Sequence, residues 1–110
     1  MIEQGEIYLA DLNPVKGHEQ SGFRPVLVLQ NNALNDILNT IIIAPITSNE
    51  KAKGKLITYF LPKHETMLDK DSFVLLFQIR TIDKRRLRKK IYRIPQSEIA
   101  DIKKQLGFVF

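Results

Sequence analysis

Cysteine is absent from the 110 residues, which removes disulfides, thiolate nucleophiles and Cys-ligated zinc. Histidine is scarce: only His18 and His64 occur, with no HExxH spacing, and no P-loop, GxGxxG or GxSxG stretch appears. Neither a metal centre nor a nucleotide cofactor is therefore expected. No apolar run approaches the ~20 residues that span a bilayer. The opening MIEQGEIYLADL has no basic leader and no long apolar segment, so the pattern predicts no signal peptide, no membrane association and a cytoplasmic protein. Repeats, low-complexity tracts and linkers are also missing. A chain of this length with 44% apolar residues reads as one domain, 1–110, with a modest core. Acidic residues are outnumbered, 12 against 17 basic ones, for a formal charge of +5. A field of that sign favours RNA or DNA, and equally an acidic protein partner.

What the chain does contain is a series of short β-like segments. EIYLADL (6–12), RPVLVLQ (24–30), TIIIAPIT (40–47) and LITYFLP (56–62) read as strands. DSFVLLFQIRTID (71–83) is the longest candidate, and its uniformly apolar middle predicts a bend. IYRIP (91–95) closes the sheet. Pro25 has no N–H and is expected at a strand start or on an edge. Between these segments, 13–22 is a loop punctuated by Pro14, Gly17 and Gly22, 31–39 a turn or one helical coil, 48–55 a polar turn and 63–70 a connection. In QSEIADIKKQLG (96–107), Ile99, Ile102 and Leu106 share one helical face, with Ser97 as the expected cap and Gly107 at the end. Five or six strands spaced too closely for βαβ crossovers predict a mainly β fold, a small curled antiparallel sheet or partly open barrel with a C-terminal helix.

Several side chains carry chemistry in two readings. Arg24 precedes Pro25, which holds it extended. Its five-donor fork fits a phosphate or carboxylate, or it is a solvated or ion-paired strand-start arginine. Thr47 and Ser48 end the most apolar strand, where hydroxyls hold a phosphate oxygen or cap a turn. On the loop, His18 is a proton carrier and Glu19 a proton acceptor, or both are merely solvated. Arg80 and Asp83 either serve a site with Gln78 or anchor the bend. KRRLRKK (84–90) holds six basic residues in seven; without interleaved aromatics it suits phosphate attraction more than base stacking. Asp69 and Asp71 form only a weak acidic pair.

GEIYLADLNPVKGHEQSGFRPVLVLQN (5–31), PITS (45–48) and FQIRTID (77–83) resemble the MazF/PemK family of bacterial toxins, and the match runs from Gly5 into the C-terminal helix. The resemblance implies a compact SH3-like curled β-barrel of the PemK/CcdB type with a C-terminal helix, and a homodimer. It implies a metal-independent endoribonuclease that cuts single-stranded mRNA at short sequences. The products would be a 2′,3′-cyclic phosphate and a 5′-hydroxyl, and the activity would be blocked by an acidic, flexible segment of a cognate antitoxin. Carried over position by position, Arg24 matches the arginine used on the scissile phosphate, and Thr47 a catalytic or phosphate-orienting threonine. Glu19 and Gln20 match an EQ pair beside the site, His18 a loop position that other relatives fill with serine, and Gln78 a late-strand glutamine. Lys16, Phe23, Ser48 and Arg80 join the expected substrate-binding set, with Lys16, Arg80 and the 84–90 block as phosphate contacts.

One branch of the family does not transfer. PemK-type relatives place an arginine and an aspartate just before the late glutamine in acid–base roles, and here those positions are Leu75 and Phe77. Many close relatives have glutamate where this chain has Phe77. The chemistry therefore falls to Arg24 and Thr47, with Glu19 ranked first as the base and His18 second, since an arginine is too weak an acid to act as one. Two other readings share the charge and the sheet. One is a non-catalytic nucleic-acid-binding barrel; the other is a toxin of the related barrel that poisons DNA gyrase by protein contact.

Overall fold

The computed structural model of the protein describes residues 1–12 and 22–110. Seven strands and two α-helices form among them: β1 Glu6–Asp11, β2 Phe23–Val28, α1 Asn32–Asn35, β3 Thr40–Thr47, β4 Thr58–Leu61, β5 Ser72–Leu75, β6 Arg80–Asp83, β7 Leu87–Arg93 and α2 Gln96–Leu106. Every pairing is antiparallel. The strand order is β4-β5-β3-β2-β1-β7, and β6 also pairs with β3.

The expected barrel is not closed. β4 and β7 stand at opposite ends of the strand order, and no pairing joins them among the described residues. The physical reason lies in β3, which takes two partners on one flank: β6 along Thr40–Ile43 and β5 at Ile46–Thr47. The sheet forks there instead of curling into one ring. A helix then covers the core. Ile99 and Ile102 of α2 pack with Ile7, Leu27, Ala44, Ile46, Leu61, Val74, Leu76 and Ile94. A second cluster of Ala10, Leu12, Val26, Val28, Ile41, Ile43 and Ile82 lies on the alternate positions of the same strands. β2 and β3 thus bury side chains on both faces, which is why their sequences run apolar without alternation.

The extra strand comes from the 71–83 segment. It does more than bend: a 3-10 turn, Leu76–Gln78, separates β5 from β6, and the register against β3 slips across it. Opposite that slip sits Pro45, which has no N–H to offer a ladder. Pro25 is neither first in its strand nor on an edge strand, since β2 lies between β1 and β3. The β2–β3 ladder nevertheless ends at Val26, so Pro25 lies just past it on that side. β4 starts later than the apolar run suggests, at Thr58, because Ile57 takes a left-handed φ of 63°. β7 starts earlier than expected and takes up half of the basic block.

Ser97 does not cap α2. The N-cap is Pro95, without a side-chain cap bond, and its carbonyl accepts from the Glu98 and Ile99 amides. Gly107 is the C-cap, as expected. Gly5 is indispensable locally: its φ is +92°, and a Cβ there would sit 3.0 Å from Ile99 Cδ1. Among the described residues, no helix is long and apolar enough to cross a membrane.

One buried carboxylate ties the first strand to the last. Glu6 is 2% exposed and lies 2.7 Å from Lys90 Nζ. It also accepts from the Glu3 amide at 2.7 Å and the Tyr8 hydroxyl at 3.1 Å. Burial alone would raise its pKa, but the hydrogen bonds from Lys90, Glu3 and Tyr8 together with the Lys90 charge hold it below its usual 4.5. Tyr8 is pushed up to about 12 by burial and by the same carboxylate. A depressed carboxylate pKa stabilises the fold above its unfolded value, and that contribution fades as pH falls through the folded one. Glu6→Gln should therefore cost about 1–2 kcal/mol near pH 7. The deficit should shrink as pH drops through the acid range below 4.5. Denaturant titrations of both proteins at several pH values test this; a deficit independent of pH would contradict it.

Candidate active site

The apolar strands deliver their ends to one rim of the sheet. β3 finishes at Thr47, and β2 begins just beside it. The β2–β3 pairing stops at Val26 and Pro45, two residues short of Arg24 on one strand and of Thr47 on the other. Arg24 is exposed there, on the stiff backbone that Pro25 imposes.

Arg24 lines a groove of about 590 Å³. Its apolar side is built by Leu9, Pro25, Ile46 and Ile91, and its far wall by the 67–70 connection. Leu9 of β1 pairs with both Pro25 and Lys89, so one register row brings the start of β2 and the middle of β7 to the same wall. Among the described residues, the charged lining is Arg24, Lys70, Lys89 and Lys90 against the carboxylate of Asp69. That excess makes the groove an anion-attracting channel. The Lys90 ammonium is paired at 2.7 Å with buried Glu6, so part of its charge is already matched within the fold.

Thr47 is 7% exposed, and its Oγ1 accepts from the Asn49 amide at 3.1 Å. The turn-capping reading of this residue is thus realised, while its O–H remains a donor. Strand alternation turns Thr47 away from Ile46, so Ile46 and Ser48 line the groove and Thr47 does not. Phe23 is 61% exposed and, though next to Arg24, is not part of the groove wall. Gln78 and Arg80 are not brought to Arg24's groove: with Phe77 and Ile79 they line a separate hollow of about 190 Å³. The register slip at Leu76–Gln78 is what carries them elsewhere. Leu75 is buried and Phe77 is 52% exposed, so neither position offers an acid or a base. Lys16, His18, Glu19 and Gln20 lie outside the described residues.

The basic block divides its labour. Lys84 Nζ donates to the Asn35 carbonyl. Arg85 forks onto Asp83 at 3.0 and 3.1 Å, and that hydrogen bonding lowers the Asp83 pKa and raises that of Arg85. Arg86 Nη1 donates to the Asp11 carbonyl at 3.2 Å, and Arg88 stands 3.9 Å from the Asp11 carboxylate. These four hold turns and strand ends together; Lys89 and Lys90 face the groove. Asp83 thus anchors a turn, as one reading had it. Lys70 and Asp69 escaped the sequence reading of the groove, because nothing in KHETMLDK marks a connection that folds back over another strand. Asp71 accepts from the Lys63 amide at 2.9 Å and shapes that connection. Among the described residues, no three His, Asp or Glu side chains gather as a metal site.

Residues 3–110 match the family model described as PemK-like, MazF-like toxin of type II toxin–antitoxin system. The chain is 45% identical over 103 residues to the Staphylococcus epidermidis protein named endoribonuclease MazF, covering 93% of this chain and 85% of that one. The crystal structure of MazF from Deinococcus radiodurans superposes with a TM-score of 0.82 at 30% identity, over 98% of this chain and 94% of the other. A MazE–MazF crystal structure from the same organism gives a TM-score of 0.76, also at 30% identity, over 98% of this chain and 94% of that one. With its open antiparallel sheet, C-terminal helix and arginine-bearing groove, the chain belongs to the PemK-like, MazF-like toxins of type II toxin–antitoxin systems.

Proposed function

We propose that the protein is a metal-independent endoribonuclease toxin, one domain spanning 1–110, that cleaves single-stranded RNA. The observation that carries this reading is the Arg24 groove, with four cations against one carboxylate among its described lining residues, in a chain 45% identical to a protein named endoribonuclease MazF.

RNA brings its own nucleophile, the 2′-hydroxyl, which DNA lacks. The 2′-oxygen attacks phosphorus, the bond to the 5′-oxygen breaks, and a 2′,3′-cyclic phosphate and a 5′-hydroxyl result. One proton leaves the 2′-oxygen and one reaches the departing 5′-oxygen, so no metal-bound water is needed. Charge grows on the non-bridging oxygens, where the permanently charged Arg24 fork donates, and Thr47, through the turn its Oγ1 caps, positions Ser48 at the groove. Glu19 serves as the base, with His18 second to it. Lys70, Lys89 and Lys90 hold neighbouring phosphates, while Ser48, at the groove rim, adds a hydrogen bond.

The active form is a homodimer, and the partner that silences it is an acidic antitoxin segment attracted to the same lysines. The MazE–MazF assembly from Deinococcus radiodurans, at 30% identity, supports a bound antitoxin. Arg80 and Gln78, remote from Arg24 within one chain, meet substrate on a different part of its path.

The first test is cleavage in EDTA of an oligodeoxynucleotide carrying one ribonucleotide. A cut at that linkage with a cyclic phosphate end is expected; a requirement for added metal or a 3′-hydroxyl end would overturn the reading. Arg24→Ala should lower turnover by about 10²–10³-fold with RNA affinity within a few-fold of the parent, and near-normal turnover would remove Arg24 from the chemistry. Affinity for single-stranded RNA should fall with salt with a log–log slope of about −2 to −3, as expected for three or four phosphate contacts. Lys89→Ala should flatten that slope by about 0.7, whereas an unchanged slope would remove Lys89 from the RNA path.

A further inference from the structure

A row of paired residues crosses the rim beside the proposed site. Phe73 of β5 pairs with Thr47 of β3, and Phe60 of β4 pairs with Phe73. Directly paired residues share a sheet face and adjacent strands lie about 4.8 Å apart, so Phe60 stands about 10 Å from Thr47 on the same face. The two rings meet at 5.4 Å between centroids with a tilt of 39°. Their exposures differ sharply: Phe73 is 5% exposed and Phe60 49%. Phe73, packed with Ala52 and Leu75, is a floor, and Phe60 is an aromatic surface propped on it.

Both rings line a second hollow, of about 290 Å³, together with Lys53, Lys63 and Lys70. Ser48, Asp69 and Lys70 belong to this hollow and to the Arg24 groove alike, so the two meet along a common wall. A half-exposed phenylalanine on an edge strand is an apolar surface turned to water. Here three ammonium groups, Lys53, Lys63 and Lys70, share the rim with three carboxylates, Glu50, Asp69 and Asp71, and the hollow adjoins the Arg24 groove. A flat apolar face, a rim that offers both hydrogen-bond donors and acceptors, and continuity with the Arg24 groove are together the chemistry that binds an unpaired nucleobase.

We propose that this second hollow is a base-binding subsite: one unpaired nucleobase of the RNA, near the scissile phosphate, stacks on Phe60, and its phosphate meets Lys53, Lys63 or Lys70. The inference rests on the endoribonuclease reading above and extends it to a residue outside the family motifs. Stacking on Phe60 demands a base free of its own strand's stack, so the subsite favours single strands. The Glu50 and Asp69 carboxylates, also in the wall, accept hydrogen bonds from N–H groups on the base edge.

The chain has no tryptophan, so Phe60→Trp places a lone fluorophore at the platform while keeping an aromatic ring there. The probe is a fully 2′-O-methylated oligonucleotide spanning a mapped cleavage site, which cannot be cut. Its binding should quench the indole saturably, and making one particular nucleotide abasic should abolish the quench. Phe60→Ala should weaken binding of the intact probe about tenfold and leave binding of that abasic probe close to the parent's. No quench, or a quench that survives every single abasic substitution, overturns the subsite while a mapped cut leaves the enzymatic reading standing. If no cut can be mapped on a long mixed RNA, the enzymatic reading falls and the subsite with it.

Discussion

A proline has no N–H to give a neighbouring strand, and Pro45 sits where β3 has let go of β6 and has yet to take hold of β5. That single gap in the ladder lets the 71–83 segment slip its register by means of a 3-10 turn. It sends β5, with Phe73, to the end of β3 and keeps β6, with Arg80, at its beginning. The Arg24 groove, the aromatic row and the separate hollow around Gln78 all follow from this change of partner. A continuous strand over 71–83 would have kept one register throughout and brought a different set of side chains to the rim.

Electrostatics completes what the ladder begins. Buried Glu6 fastens β1 to β7 by taking the Lys90 ammonium at 2.7 Å. The cost of burying a carboxylate is offset by three hydrogen-bond donors, one of them the Lys90 ammonium. The basic block shows the same economy in reverse. Its arginines and Lys84 meet Asp11, Asp83 and backbone carbonyls, and Lys90 meets Glu6, while Lys89 lines the groove.

Most of the strand plan was legible because the apolar segments are short and punctuated. TIIIAPIT coincides with β3, and the helical spacing of Ile99 and Ile102 coincides with their burial in the core. The failures have particular causes. Ile57 adopts a left-handed backbone that no β-branched residue advertises, so β4 begins late. Ser97 reads as a cap but lies inside a helix that Pro95 begins. At the site, the strand-end positions of Arg24 and Thr47 follow from RPVLV and TIIIAPIT. The 67–70 wall and the Phe60 platform do not: the first is a connection whose path depends on distant packing, and the second is an ordinary apolar residue of an edge strand.

The sequence by itself determined the small antiparallel plan, the basic charge, the absence of thiol chemistry and the rigid arginine at the head of β2. These follow from local periodicity, from composition and from the fixed φ of proline. The pairing of distant segments settled that the sheet stays open, that four of the block's six cations contact other parts of the fold, and that Gln78 and Arg80 line a different hollow from Arg24. Those outcomes depend on which strands find one another across long stretches of chain, and strand pairing is a non-local choice in which a slip of a few residues redistributes every side chain along the ladder.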